Sequence, residues 1–148
     1  MANRITYMNQ GHQYFDEKMW IKFNQLIAQN ISLDAAIFFG HLYNIESYLF
    51  IHKSIYFKSK DYWFICKRED VLNKINMCYS RQRKCIEELE KFNLIETQLR
   101  QNKLKWFRIN WEEFINKRDK WYQNFINIKI EQSQEYKEYE KEINDDNW

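Results

Sequence analysis

The stretch that decides the fold is INMCYSRQRKCIEELEKFNLIE, residues 75–96. Four apolar side chains of its second half recur at the spacing of one helix face: Cys85, Ile86, Leu89 and Phe92. That spacing predicts an amphipathic helix. An asparagine stands just before it, at a point where the apolar pattern of a preceding helix stops. The stretch therefore predicts two helices joined by a tight corner, with the second helix running into a strand.

Two asparagines stand where the chain must turn. Asn tolerates left-handed backbone better than any residue except glycine. Asn76 is expected to form the corner after a short helix over residues 68–75, with Met77 pointing inward and Cys78 at the N-cap. Asn93 is expected to end the second helix, so that the next two apolar residues begin a buried strand.

The flanking segments complete an order of elements. A helical pattern covers most of residues 14–30, and a second helix is predicted from the N-cap Ser32 to about Leu49. Aromatic and β-branched residues over 51–67 predict extended structure around a KSKD turn. LIETQLR and KLKWFRIN then alternate as the two strands of a hairpin, and a long helix follows from Trp111.

This order predicts an α+β, mainly helical fold: a winged helix-turn-helix with a β-hairpin wing and a long C-terminal helix. The predicted organisation is a flexible lead-in over residues 1–13, a winged-helix domain over 14–110, and a C-terminal helix with an acidic tail over 111–148. The last segment is the best candidate for a dimer interface.

Charge is unevenly distributed along the 148 residues. The whole chain carries +2, but residues 131–148 hold seven carboxylates against two lysines, so that the first 130 residues carry +7. Such asymmetry favours a basic body that faces nucleic acid. The acidic tail is either solvated, or it competes for the basic surface or binds a basic partner.

Several functional classes are disfavoured. The two glycines leave no glycine-rich phosphate loop, and the cysteines and histidines show no CxxC or HxxxH spacing, so no metal or cofactor is expected. No catalytic constellation stands out, which predicts a protein that is not an enzyme. The longest near-apolar run, residues 35–43, is too short to span a bilayer. Three cysteines without a secretion signal predict reduced thiols and a cytoplasmic location.

The run DYWFICKREDVLNKINMCYSRQRKCIEELEKFNLIE, the hairpin KLKWFRIN and the upstream YFDEKMWIKFNQLIAQNISLDAAIFFGHLYNIES resemble a known family. They are similar to the winged-helix domains of DnaD-like and RepA-type replication initiators of phages and plasmids. The resemblance covers roughly residues 14–110 and implies the fold more strongly than the function. Cys78 stands where that family tends to have a capping serine, Gln82 where it tends to have an apolar residue, and asparagines replace both turn glycines.

The candidate DNA contacts lie in the first two turns of the second helix and at the hairpin tip. They are Tyr79, Ser80, Arg81, Arg83, Lys84, Arg100, Gln101, Asn102, Lys103 and Lys105. Arginine can bond bidentately to guanine, and hydroxyl and lysine groups can hold phosphates. The plain alternative is an ordinary solvated helix face and hairpin tip.

The sequence thus predicts sequence-specific binding of double-stranded DNA by a small protein of a mobile genetic element, in replication initiation or transcriptional regulation. The expected partners are duplex DNA and a second copy paired through the C-terminal helix, without a membrane. The alternative is a winged-helix protein-binding module that acts as an inhibitor or adaptor of host machinery.

Overall fold

The structure, a computed structural model, describes residues 4–15, 23–101 and 103–145. Its elements in chain order are α1 (Arg4–Phe15), α2 (Gln25–Asn30), α3 (Leu33–His52), α4 (Ser54–Ser59), β1 (Phe64–Ile65), α5 (Arg68–Ile75), α6 (Tyr79–Lys91), β2 (Ile95–Leu99), β3 (Lys105–Ile109) and α7 (Trp111–Asp145). The α+β, mainly helical class is confirmed, and the order is that of a winged-helix-like fold with a long C-terminal helix.

The three strands form one antiparallel sheet in the order β1-β3-β2. Phe107 lies at its centre, opposite Phe64 on one side and Thr97 on the other. The predicted hairpin of β2 and β3, called the wing below, turns at Lys103, whose φ is 58°. Because side chains alternate between the faces of a strand, Thr97, Lys105 and Phe107 share the face that looks toward the helices.

The core is built around α3, which packs against α2, α4, α5 and α6. Ser32 caps α3 as predicted, since its hydroxyl accepts a hydrogen bond from the backbone N–H of Ala35 at 3.0 Å. Phe38 of α3 meets Phe107 with ring centroids 6.2 Å apart, and Phe107 in turn meets Phe64 at 6.5 Å. These aromatic contacts join the sheet to the central helix.

The corner between α5 and α6 is confirmed as predicted. Asn76 takes the left-handed conformation, with φ 53° and ψ 42°, and Met77 is buried behind it. Asn93 ends α6 in the same conformation, with φ 58°. The N–H of Leu94 bonds to the carbonyl of Leu89 at 3.0 Å, and the N–H of Asn93 to that of Glu90 at 2.9 Å. These two bonds form a Schellman motif, which closes the helix.

The prediction of extended structure over residues 51–67 is wrong for most of that segment. Residues Ser54–Ser59 form α4, and only Phe64–Ile65 are strand. Asp61 has φ 52°, and the Tyr62 N–H bonds to the Phe57 carbonyl at 3.0 Å, so the KSKD turn closes a helix instead of joining two strands. Burial of the Phe57 ring in the core outweighs the β propensity of its neighbours.

Two further expectations about the N-terminal region are modified. The segment predicted as a flexible lead-in is helical from Arg4, and residues 4–10 are exposed. Of the helix predicted within residues 14–30, α2 and the end of α1 are helical, and residues 16–22 lie outside the described part of the chain.

The C-terminal helix α7 runs from the end of the wing along the body and beyond it. Trp111 donates from its indole N–H to Glu46 at 2.7 Å, and Trp121 packs edge-on against Phe92 at 6.2 Å. Every residue from 131 to 145 is exposed. Among the helices that the structure describes, none is both long and apolar enough to cross a lipid bilayer.

Candidate nucleic-acid interface

Helix α6 is positioned by a buried glutamine. Gln82 is 4% exposed, and its amide nitrogen donates to the backbone carbonyls of Met77 at 2.7 Å and Arg68 at 3.0 Å. It therefore ties the first turn of α6 to the corner before it and to the start of α5. Cys78, at the N-cap position, makes no side-chain capping bond. Gln82 thus holds a corner that lacks an ordinary cap.

Helical geometry divides the exposed surface of α6 into three sides. The side of Arg83 faces the wing. The side of Ser80 and Lys84 faces outward, and both residues are exposed. The side of Arg81 and Glu88 faces the start of α3, where the Ser32 hydroxyl lies 2.8 Å from a Glu88 carboxylate oxygen. The predicted contacts on this helix therefore do not all face the same way.

Arg81 is engaged within the protein. Its Nε lies 2.9 Å from Asp34 Oδ2, and its second guanidinium nitrogen lies 2.7 Å from Asp34 Oδ1. This bidentate pair holds the pKa of Asp34 below its usual range. The structure therefore gives Arg81 a role in seating α6 against α3, which its predicted role as a DNA contact did not anticipate.

The other predicted residues of α6 keep most of their polar groups free for a partner. Lys84 lies 4.0 Å from Glu88, at the limit of an ion pair, and its side chain is 78% exposed. Ser80 shares a hydrogen bond with Cys78, and that bond is the main cause of the lowered pKa of the thiol. The guanidinium of Arg68 lies over the Tyr79 ring, with its central carbon 4.6 Å from the ring centre.

The wing residues divide between the two faces of the hairpin. Arg100 stacks on Trp106, with 3.8 Å from the guanidinium carbon to the ring centre, and its Nε donates to Gln98 at 3.2 Å. Lys103 and Lys105 are exposed and lie on the side toward α6. Gln101 is exposed at the tip. Asn102, also a predicted contact, lies outside the described residues.

A cleft of about 760 Å³ lies between the wing, α5 and α6; we call it the wing cleft. Apolar side chains that line it include Ile86, Leu99 and Phe107. Five cationic side chains line it: Lys67, Arg68, Arg83, Lys103 and Lys105. Except for Arg68, these cations form no ion pair within 4.0 Å among the described residues. The fold therefore brings together unpaired positive charge from three elements.

Three carboxylates line the same cleft, but two of them have partners. Glu69 lies 3.6 Å from Arg68, and Glu90 accepts a hydrogen bond from the Thr97 hydroxyl at 2.6 Å. Glu87 is exposed at the edge, one turn after Arg83. The balance of the lining charge is positive, so the cleft favours an anionic partner.

Sequence reasoning missed three contributors to this surface. Lys67 is the N-cap residue of α5 and Arg68 is its first residue, and only the packing of α5 against α6 brings them to the cleft. Asp34, which lies on α3, determines the direction of the Arg81 side chain. The sequence shows that Lys67 and Arg68 are adjacent, but it does not show that they lie next to α6.

No group of three metal-ligating side chains converges within the described residues. Cys66 and Cys85 are buried, and burial raises the pKa of each thiol to about 12. They are therefore protonated core side chains. Cys78, by contrast, is exposed.

No protein-family model matches this chain, and no curated protein matches it. A solved structure described as "N-Terminal domain of DNA binding protein" is similar to it, with a TM-score of 0.49 and 16% identity. The similarity covers 67% of this chain and 79% of that chain.

Proposed function

We propose that this protein binds double-stranded DNA, with the outer side of α6 in the major groove and the wing cations on phosphates, and that it performs no catalysis. The observation that supports this most is the convergence of Arg83, Lys103 and Lys105 on one cleft, where none of them has an ion-pair partner in the described part of the chain. A helix with a neighbouring hairpin suits this mode of docking. Phosphates would balance charges that the protein itself leaves unbalanced.

The charge at the start of α6 also supports an anionic partner. The first turn of α6 contains no acidic residue, and the first two turns together contain Arg81, Arg83 and Lys84. Cations at a helix N-terminus oppose the helix dipole. Asp34 offsets the charge of Arg81, and a phosphate would offset the remaining two.

The test is duplex binding measured by fluorescence anisotropy at two or more salt concentrations. Wild type is compared with Arg83/Lys84/Lys103/Lys105→Ala and with a matched control, Lys53/Lys58/Lys120/Lys137→Ala, which removes the same charge from exposed sites outside the cleft. We expect the first variant to lose affinity and the slope of log K against log salt to fall by up to about four. The control should keep most of the slope.

Two results would overturn the proposal. One is the absence of detectable duplex binding by the wild type at low salt. The other is an equal loss in both variants, which would show that only net charge matters. A comparison of mixed-sequence duplexes with a selected site tests the sequence specificity that we also propose.

We further propose that the protein acts in the cytoplasm, in replication initiation or transcriptional control in a mobile element, and pairs with a second copy through α7. The last third of α7 leaves the body with Tyr136, Tyr139 and Ile143 exposed, and this supports pairing. Sedimentation equilibrium of the full chain tests it. A chain that stays monomeric at high concentration would refute the pairing.

A second candidate function is that of a protein-binding module acting on host machinery. It is supported by exposed apolar side chains at the end of α3 and in α4, where Ile51 is 71% and Ile55 is 88% exposed. Contiguous exposed apolar surface commonly marks interaction sites. If the wild type binds a protein partner in the absence of DNA and Ile51→Ser/Ile55→Ser does not, this function is favoured over DNA binding.

A further inference from the structure

The apolar stripe that seats α7 on the body continues beyond the body. Phe125, Ile128 and Gln132 line a shallow groove with α2. Steps of three and four residues carry the same stripe on to Tyr136, Tyr139 and Ile143, since such steps return to one helix face. About 20 Å of helix follows the last of the groove residues. These distal apolar side chains are exposed, at 67%, 58% and 37%.

A row of carboxylates runs beside this distal stripe. Five acidic residues recur at steps of four and three along α7: Glu131, Glu135, Glu138, Glu142 and Asp145. At about 100° per residue they fall within an arc of about 80°, next to the arc of the apolar residues. Lys137 and Lys141 fall on the side away from the apolar row. Residues 131–145 of α7, called the distal third below, therefore present one acidic row and one apolar row side by side.

The wing cleft has the complementary arrangement. The apolar side chains of Ile86 and Leu99 line it, and Arg83, Lys103 and Lys105 line it without ion-pair partners among the described residues. Carboxylates three and four residues apart on a helix have Cβ atoms about 5–6 Å apart, which forms a linear series of negative charges. The cleft can thus take the apolar row against Ile86 and Leu99 and the acidic row against its cations.

The partner that brings this helix to the cleft is a second copy. Residues 131–145 belong to one continuous helix that leads away from its own body, and all of them are exposed. The helix would have to break to reach its own cleft. An exchange between two copies needs no such break, and two-fold symmetry lets each copy supply one helix and one cleft.

We propose that the distal third of α7 in one copy docks, through its acidic and apolar rows, in the wing cleft of a second copy and excludes DNA from it. The exclusion of DNA rests on the proposed function, whereas the docking itself does not. The dimer is then the DNA-free form, and duplex DNA and self-association compete for the same cations.

The test is a charge exchange in full-length chains, measured by sedimentation equilibrium without DNA. One variant reverses the cleft, Arg83→Glu/Lys105→Glu, and another reverses the row, Glu138→Lys/Glu142→Lys. We expect each alone to be monomeric where wild type is dimeric, and their equimolar mixture to form a heterodimer. The matched control, Asp119→Lys/Glu140→Lys, changes the same charge outside the row and should dimerise as wild type. Circular dichroism verifies that each variant is folded.

The docking is refuted if the mixture of folded variants stays monomeric, or if either variant alone dimerises as well as wild type. A second measurement tests the competition with DNA. Glu135→Gln/Glu138→Gln/Glu142→Gln should weaken self-association about tenfold and strengthen duplex binding. If the heterodimer forms and no variant binds DNA, the docking stands and the proposed function fails. If DNA binds and no heterodimer forms, the docking fails alone.

Discussion

At Gln82 a single buried amide makes the two contacts that join α5, the corner and α6. Its two donors meet two backbone carbonyls, those of Met77 and Arg68. An apolar side chain at this position would fill space but leave those carbonyls without this donor. The residue that fits the winged-helix pattern poorly therefore has a structural role, because it anchors the corner at which Cys78 makes no capping bond.

We expect Gln82→Leu to destabilise the protein by about 1–3 kcal/mol, because buried carbonyls lose their donor. Gln82→Glu should cost more, since a carboxylate would face two carbonyl oxygens. Urea unfolding measures both. The exposed Gln134→Leu on α7 is the matched control and should change stability by less than about 0.5 kcal/mol. An equal effect in Gln82→Leu and the control would contradict this role.

His41 is the other buried polar residue of the core, 3% exposed, and its Nε2 has no hydrogen-bond partner among the described residues. In the folded protein, burial lowers the pKa of His41 below its ordinary value of 6.5. As the pH falls through 6.5, His41 takes up a proton in the unfolded chain but not in the folded chain. The free energy of unfolding therefore falls as the pH falls.

His41→Leu should remove this part of the pH dependence. We expect its free energy of unfolding to decline less than that of wild type between about pH 7.5 and about pH 5. Urea unfolding at the two pH values provides the comparison. Parallel declines in the two proteins would show that His41 is not the group responsible.

At the scale of elements, left-handed residues at helix ends determine where α4, α5 and α6 stop. Asp61, Asn76 and Asn93 have φ of 52°, 53° and 58°. A chain with only two glycines uses short polar side chains for this purpose. The two asparagines were recognised in the sequence, but Asp61 was interpreted as part of a turn within extended structure, because helix ends and other turns favour the same residues.

Asn76→Ala should destabilise the protein by about 1 kcal/mol, since a Cβ without a local hydrogen bond disfavours the left-handed region. Asn76→Gly should be neutral or slightly stabilising, because glycine accepts that conformation. Thermal unfolding compares the two. If alanine and glycine have the same effect, the backbone conformation at residue 76 is not what limits the corner.

At the scale of the whole molecule, charge is divided among three uses. Asp34 holds Arg81 at the junction of α3 and α6, and Arg108 bridges Asp61 and Glu96 on the outer face of the sheet. In the wing cleft, the cations other than Arg68 have no ion-pair partner among the described residues. Cations of the same sequence neighbourhood therefore differ in what they do.

Arg81→Ala and Arg83→Ala should separate stability from binding. We expect Arg81→Ala to lower stability slightly, as for an exposed ion pair, and to leave the salt slope of duplex binding unchanged. Arg83→Ala should leave stability nearly unchanged and reduce that slope by about one. Urea unfolding and anisotropy titrations on both variants supply the measurements. The reverse pattern would mean that Arg81 leaves Asp34 to contact the DNA.

The sequence by itself determined the class of the fold, the positions of α3, α5, α6, the wing and α7, and the two asparagine turns. These features are written in local periodicity, capping and backbone preference, which act over a few residues. Only the tertiary structure decided that residues 54–59 are helical, that Gln82 is buried and that Arg81 pairs with Asp34. It also brought Lys67 and Arg68 to the wing cleft. Each of these depends on a contact between elements far apart in the chain, where burial and pairing outweigh local preference.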